Sequence, residues 1–383
     1  MWRTLLLFIF LFSIVLSAHA QNIDKELEKI EQQNDKSIVV AQLSELLENE
    51  NLSNAQRIKV LILQCRGYLT LSDLKKALEV IQQAKKLATQ KNLLLQQAQA
   101  DKLIGIVYYF QGQYDQSLLS YQVALDYFQQ QPFSAETTLK QAHLLNNIAL
   151  VQTSQGDAFA ALKTYQQLDP LYQRYGDDVD KIDVRYNLAV LYISLRRYDI
   201  AISMLKEVMT KRQAINDDYG VAQAAGNLGV SYKYSGQYQQ AEQYTLKALD
   251  YFQKHNHQLD FASQLHNIAE VNYELSHLDK AHNYAMMGVE VSKKIGQQMS
   301  YAGSLQTLAK VFFYQGDIER SRINVKLSNM IAIKMGYQEL MNDNLGLMSL
   351  IYAVDRKTIK ALKAQLSYQK SRLKLSNETL NEQ

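Results

Sequence analysis

Apolar and small residues recur along most of this chain with two periods, a short one of three to four residues and a long one of about forty. In residues 226–252 the short period gives two amphipathic stretches joined by Ser235-Gly236-Gln237, which predicts two helices and a tight turn. Gly229 and Ala241 lie where these helices would cross, because only a minimal side chain allows two helix backbones to approach closely.

The same pattern recurs at intervals of about forty residues in both directions. Each second helix has one small residue at a fixed position: Ala77, Ser117, Ala161, Ala201, Ala241, Ala281, Ser321 and Ala361. Each first helix has one as well: Cys65, Gly105, Ala149, Ala189, Gly229, Ala269, Ala309 and Ser349. Eight registers that agree in this way predict an all-α array, in which each repeat buries its apolar face on its neighbours.

Two features of the repeat carry a family resemblance. A Leu-Gly-x-x-Tyr motif at residues 228–232, a turn glycine and a following pair of alanines that flank an aromatic residue resemble the tetratricopeptide repeat. The forty-residue period resembles the long-helix variety found in kinesin light chains and in bacterial peptide-sensing regulators. The resemblance covers roughly residues 58–361 and implies a superhelical solenoid of about eight helix-turn-helix repeats, followed by a polar C-terminal helix.

Residues 1–20 are typical of an export signal. Arg3 supplies the positive charge, an apolar core follows, and Ala18-His19-Ala20 is a cleavage site. A membrane anchor is the alternative, but about twelve apolar residues are fewer than the roughly 20 that span a bilayer. We therefore expect a periplasmic or secreted chain that begins at Gln21 and does not insert into a membrane after cleavage.

The remaining chain divides into three predicted segments. Residues 21–57 predict an N-terminal helical cap, residues 58–355 the repeat array, and residues 356–383 a C-terminal helix. In that helix one apolar residue recurs every seven positions, at Ile359, Leu366, Leu373 and Leu380. The companion apolar row decays along the helix, so a weak coiled coil and a solvated capping helix remain equally open.

Two prolines interrupt the pattern. The interval between the second and third repeats is lengthened around Pro132, and there Ser134 with Glu136 offers capping chemistry for the next helix. Pro170 falls late in a second helix, after Asp169, and is expected to end or kink it.

Composition and charge exclude several classes of function. The formal net charge is +3 and falls to +2 when Arg3 leaves with the signal, so no avid binding to nucleic acid is expected. The chain contains one cysteine, Cys65, which occupies a small-residue packing position and is expected to be a buried spacer. No phosphate-binding, dinucleotide-binding, hydrolase or zinc-protease motif occurs, so the sequence predicts neither an enzyme nor a cofactor. His255 and His257 lack supporting ligands, and no metal is expected there.

The main candidate for a binding site is a column of asparagines, two residues before the small position of the first helices: Asn147, Asn187, Asn227 and Asn267. Leu63 and Leu103 replace it in the first two repeats. In the peptide-binding relatives that the chain resembles, the matching amides bond the main chain of an extended ligand. The alternative is structural, with each amide holding an adjacent inter-repeat loop.

Several other side chains are expected to line the same groove. They are Tyr109, Tyr186, Tyr234, Tyr273 and Lys233. The pattern therefore predicts a scaffold that binds a peptide or protein segment. The alternative function is a sensory input module with a membrane signalling partner, because the chain resembles the periplasmic regions of bacterial diguanylate cyclases and histidine kinases.

Overall fold

Every regular element in the described part of the chain is an α-helix. The computed structural model describes residues 23, 25–33, 35–49, 51–71 and 73–381, so the export signal predicted at residues 1–20 lies outside it. In chain order the helices are α1 (residues 25–31), α2 (Lys36–Leu47), α3 (Asn54–Thr70), α4 (Leu74–Gln90), α5 (Leu94–Phe110), α6 (Tyr114–Gln129), α7 (Ala135–Gln155), α8 (Ala158–Tyr175), α9 (Asp178–Ser194), α10 (Tyr198–Ala214), α11 (Asp218–Tyr234), α12 (Tyr238–Lys254), α13 (Gln258–Glu274), α14 (Leu278–Ile295), α15 (Gln298–Tyr314), α16 (Ile318–Met335), α17 (Gln338–Val354) and α18 (Thr358–Asn381).

The helices from α3 to α18 form eight consecutive pairs, as the repeat pattern predicts. The odd-numbered helices are the first helices of the pairs and the even-numbered helices are the second. The first pair begins at Asn54, slightly before the predicted start of the array at Ile58. Ser53 caps this helix with a full capping box, which explains where it begins.

Small residues lie at the helix crossings, and the predicted columns are buried except at Ala361 in α18, which is half-buried. Ala241 is fully buried, and a Cβ on Gly229 would overlap the Oγ1 atom of Thr245 in the partner helix. Where serine replaces alanine, its hydroxyl is bonded: Ser117 donates to the Gly105 carbonyl oxygen at 2.7 Å. Cys65 is also fully buried, and burial raises the pKa of its thiol to about 12. The thiol is therefore a packing spacer.

Most turns from α4 onward share one conformation, in which a single residue adopts positive φ; the α6–α7 and α8–α9 connections do not. Glycine holds this place at Gly156 and Gly236, since glycine has no Cβ to oppose the left-handed backbone. Arg356 holds it in the turn before α18, with φ of 57°, although that turn contains no glycine. An aspartate follows at three of these turns, and the first of them, Asp157, accepts a hydrogen bond from the Ala160 backbone N–H and so caps the next helix.

The lengthened interval after α6 ends in an N-terminal cap on α7. Ser134 is the capping residue, as predicted, but Thr137 rather than Glu136 is its partner. The Ser134 hydroxyl accepts the Thr137 backbone N–H at 3.0 Å, and the Thr137 side chain completes the capping box. Glu136 instead pairs with Lys140 at 2.5 Å.

Pro170 was expected to end or kink its helix, and the expected end is wrong, because α8 continues to Tyr175. Proline removes one backbone donor, but the buried side chains of Leu168 and Tyr172 hold the helix in place on both sides of it. Packing therefore outweighs the local preference of proline.

The chain divides into two compact units, Met1–Asp177 and Asp178–Gln383, called unit 1 and unit 2 below. Unit 1 contains α1 to α8, and unit 2 contains α9 to α18. Among the described residues, no helix has both the length and the apolar character that a membrane span requires.

Candidate functional site

The candidate site of unit 2 lies on its first helices α9, α11, α13, α15 and α17, and we call this surface the first-helix face. Three predicted asparagines lie on it at the same register, one repeat apart, and all three are half-buried: Asn187, Asn227 and Asn267. The first and last of these helices approach each other, because Arg196, in the turn after α9, reaches Glu339 at the start of α17 with 2.9 Å between nitrogen and oxygen.

The asparagine amides differ in their protein contacts. Asn227 donates from Nδ2 to the Tyr186 hydroxyl in the preceding repeat at 2.8 Å, and its carbonyl oxygen bonds no described residue. Asn267 makes no side-chain hydrogen bond to any described residue. An amide offers a donor and an acceptor in fixed geometry, so these groups can pair with a peptide main chain.

The predicted tyrosines of unit 2 differ in their contacts. Tyr186 is half-buried, and its bond to Asn227 fixes the position of its ring. Tyr234 is half-exposed and stacks on Tyr198, with 5.7 Å between ring centroids. The Lys310 ammonium lies 5.8 Å from the ring centroid of Tyr273, in the range of a cation–π contact.

Two of the predicted site residues belong to unit 1. Asn147 is half-buried in α7 and makes no side-chain hydrogen bond to a described residue. Tyr109 is half-buried in α5, where its hydroxyl lies 3.2 Å from Ser154 Oγ.

A buried group of charges lies beside the asparagine column. Lys233 Nζ is 2.6 Å from Glu270 Oε2, and only 8% of the Lys233 side chain and 16% of the Glu270 side chain are exposed. Lys310 Nζ lies 3.7 Å from the other carboxylate oxygen of Glu270. Glu270 therefore holds two ammonium groups from the repeats on either side of its own, and we call these three residues the ion cluster.

Burial and pairing act in opposite directions on the ion cluster. Burial alone would raise the pKa of Glu270, but the two lysines outweigh it and hold that pKa well below its usual range. Burial would lower the pKa of Lys233, but the Glu270 carboxylate outweighs it and raises that pKa. All three groups are therefore charged at neutral pH, and the ion cluster carries one net positive charge.

His266 lies against the ion cluster in a neutral form. Burial lowers the pKa of His266 to about 4, and its Nε2 atom is 3.9 Å from Glu270 Oε2. Its Nδ1 atom is buried without a described hydrogen-bond partner. The ring packs against the backbone of Gly303 in α15, where any Cβ would overlap it. The absence of a side chain at Gly303 thus makes room for the imidazole.

Sequence reasoning placed Lys233 on this face but missed Lys310, Asp343 and the Arg196–Glu339 pair. The sequence did contain one signal for Lys310. Glu270 and Lys310 stand at the same register of consecutive repeats, and the two repeats before them have Val190 and Val230 at that register. Burial raises the pKa of Asp343, and Lys310 opposes that shift.

The two loop histidines considered as metal ligands pack against aromatic rings instead. His255 stacks on Tyr251 at 4.3 Å between centroids, and His257 lies 4.9 Å from the Tyr219 ring. The described residues contain no group of three or more histidine, cysteine, aspartate or glutamate side chains that could hold a metal ion.

Comparison with known proteins agrees with this architecture. The tetratricopeptide repeat family model matches residues 140–214 and 185–254, so this part of the chain consists of tetratricopeptide repeats. No curated protein sequence matches the chain.

Solved structures with a similar fold cover almost the whole chain. The structure of a Rap protein complexed with Competence and Sporulation Factor has a TM-score of 0.69 at 15% identity, over 96% of this chain and 99% of that one. The apo quorum sensor NprR from B. thuringiensis has a TM-score of 0.68 at 16% identity, over 94% and 99%. NprR in complex with its cognate peptide NprX has a TM-score of 0.61 at 18% identity, over 94% and 99%. The predicted all-α, tetratricopeptide-like solenoid is confirmed.

Proposed function

We propose that this chain is a non-enzymatic scaffold that binds a peptide or protein segment on the first-helix face of unit 2. The observation that carries the proposal is the row of half-buried asparagine amides beside the ion cluster. Asn267 and the carbonyl oxygen of Asn227 have no described hydrogen-bond partner, so a ligand main chain can satisfy them.

The ion cluster gives this face a second means of recognition. Lys310 is the more loosely held cation, since its ammonium is 3.7 Å from Glu270 whereas that of Lys233 is 2.6 Å away. An acidic or polar group of a ligand can approach Lys310, while the amides hold the adjacent main chain. Two structures of similar fold hold a bound ligand, Competence and Sporulation Factor in one and the peptide NprX in the other, which supports a peptide ligand at the level of fold.

Selection from a random linear peptide library on the immobilised protein tests this function. We expect enriched peptides that bind at one site per chain and compete with one another. Peptides that bind equally well after heat denaturation of the protein, or the absence of any enrichment, would contradict the proposal.

The second candidate function is a sensory input module that docks on a membrane signalling partner. The observation in its favour is helix α18, which leaves a row of apolar side chains exposed: Ile359, Leu362, Leu366 and Leu373. The opposite side of α18 packs on α17, where Ser349 donates to Gln365 at 2.9 Å. Lys360, Lys363 and Lys370 give the helix a basic character, which fits an acidic partner.

Both candidate functions assume that the protein is exported. The signal at residues 1–20 predicts a periplasmic or secreted protein that begins at Gln21. Intact-mass analysis of the protein from its native host tests this directly. Recovery of the chain with Met1 to Ala20 still attached would overturn the export proposal and leave the peptide site untouched.

A further inference from the structure

Unit 1 contains a large cavity that none of the predicted asparagines or tyrosines lines. It lies among the first helices α3, α5 and α7, and its volume is about 1160 Å³. Ligand pockets commonly measure roughly 300–1,000 Å³, so the space is ample for a molecule of moderate size. Its floor is hydrocarbon, contributed by Ile62, Leu63, Leu103, Ile106, Phe128 and Leu144.

The charges around this cavity are mostly positive. Four cations line it, namely Lys59, Arg66, Lys102 and Lys140, together with two carboxylates, Glu31 and Glu136. Glu136 is paired with Lys140 at 2.5 Å, and Glu31 lies 3.7 Å from Arg66. Lys59 and Lys102 have no ion pair with any described residue, so the cavity keeps two uncompensated positive charges.

Lys102 is the cation best placed to hold a ligand. It is half-buried in α5 next to Leu103 and makes no described hydrogen bond or ion pair. Burial lowers the pKa of Lys102, and Arg66 and Lys140 lower it further. A half-buried ammonium without a partner is unfavourable. An anion placed beside it would offset both the loss of hydration and the repulsion from Arg66 and Lys140.

The register of the repeats distinguishes this cavity from the first-helix face of unit 2. Where unit 2 presents Asn187, Asn227 and Asn267, the first two repeats present Leu63 and Leu103. A peptide main chain laid over these two leucines would find no amide at this register, whereas a hydrocarbon chain needs none. The floor therefore favours an aliphatic ligand over a peptide.

We propose that the cavity of unit 1 binds a long-chain fatty acid, with the hydrocarbon chain on the leucine floor and the carboxylate on Lys102. Lys59 and Arg66 at the rim add to the attraction for the anion. The site is independent of the peptide function, because every lining residue belongs to unit 1.

Isothermal titration calorimetry with dodecanoate, kept below its micelle-forming concentration, tests the proposal on the protein purified from its native host. Dodecanoate is expected to bind one per chain, more tightly than dodecanol and much more tightly than dodecyltrimethylammonium. Lys102→Met should weaken dodecanoate binding roughly 10- to 100-fold, the range of one charge-assisted hydrogen bond. The melting temperature of the Lys102→Met protein should hold or rise, because an unpaired charge is removed.

The matched control is Lys163→Met, which removes an exposed lysine of α8 that does not line the cavity. It should leave dodecanoate binding unchanged. Absence of dodecanoate binding, equal binding of the cationic amphiphile, or an equal effect of the two lysine variants would overturn the proposal. Preferential binding of an apolar-ended peptide over dodecanoate in this cavity would overturn it as well. None of these outcomes bears on the asparagine variants of unit 2, which test the peptide site.

Discussion

The Asn227 amide donates a hydrogen bond of 2.8 Å to the Tyr186 hydroxyl, and so links helix α11 to helix α9 across one repeat. Both residues were predicted to line a ligand groove, and here they contact each other. The bond uses a donor of Asn227 and leaves its carbonyl oxygen available. One side chain thus couples the packing of neighbouring repeats to the surface proposed for binding.

Tyr186→Phe should remove this bond and little else. A neutral hydrogen bond contributes about 0.5–1.5 kcal/mol net, so the free energy of unfolding should fall by that amount. Hydrogen exchange should accelerate first in α9 and α11, since stability in a repeat array depends on nearest neighbours. The matched control is Tyr192→Phe on the same helix, whose hydroxyl has no described hydrogen bond and whose loss should change little. Equal effects of the two variants would show that the bond is not stabilising.

Glu270→Gln should be among the most destabilising changes on this face. It leaves the ammonium groups of Lys233 and Lys310 without their counter-charge, and breaking a buried ion pair from one side costs about 3–5 kcal/mol. Urea unfolding followed by circular dichroism measures the loss.

The control for this change is Lys280→Gln, which breaks a more exposed pair with Glu242. Exposed pairs contribute about 0–1 kcal/mol, so this variant should unfold almost as the parent does. A Glu270→Gln protein as stable as the Lys280→Gln protein would contradict the description of a buried cluster.

His266 predicts a pH dependence of stability. Burial lowers its pKa from an ordinary value of 6.5 to about 4, so between these values the unfolded chain takes up a proton that the folded chain does not. Stability should therefore fall as the pH falls from 6.5 to 4, by roughly 1–3 kcal/mol. In His266→Gln the slope over this range should be smaller; an unchanged slope would show that other groups cause it.

The protonation of Glu270 affects stability at lower pH than that of His266 does. Its folded pKa lies below its ordinary value, so its contribution is present above the ordinary carboxyl pKa and is lost as the pH falls through the folded one. The slope from His266 therefore appears first on acidification.

The fold could be predicted from the sequence because its packing repeats. Each crossing needs a small residue, and forty-residue columns such as the one through Ala201 and Ala241 expose that need directly. The expected end of α8 at Pro170 was wrong for the opposite reason: a local preference was considered without the buried side chains of Leu168 and Tyr172 around it.

The site was less accessible to sequence reasoning. Register placed Lys233 on this face, but it could not show that Lys233 pairs with Glu270, because that depends on the directions of two long side chains. The contact between Arg196 and Glu339 depends on how several repeats curve together, and no local pattern records that curvature.

The central claim is that the asparagine amides of unit 2 bind a peptide main chain, and Asn267→Ala tests it most directly. The probe is a peptide selected on the immobilised protein, and the matched control is Asn283→Ala, which removes an exposed amide from the second helix α14. One or two lost hydrogen bonds should weaken peptide binding about 5- to 100-fold in Asn267→Ala, while Asn283→Ala binds as the parent does. The melting temperature of Asn267→Ala should hold or rise, because Asn267 has no described hydrogen bond and alanine is the better helix former. Unchanged peptide affinity, with or without a fall in melting temperature, would contradict the claim.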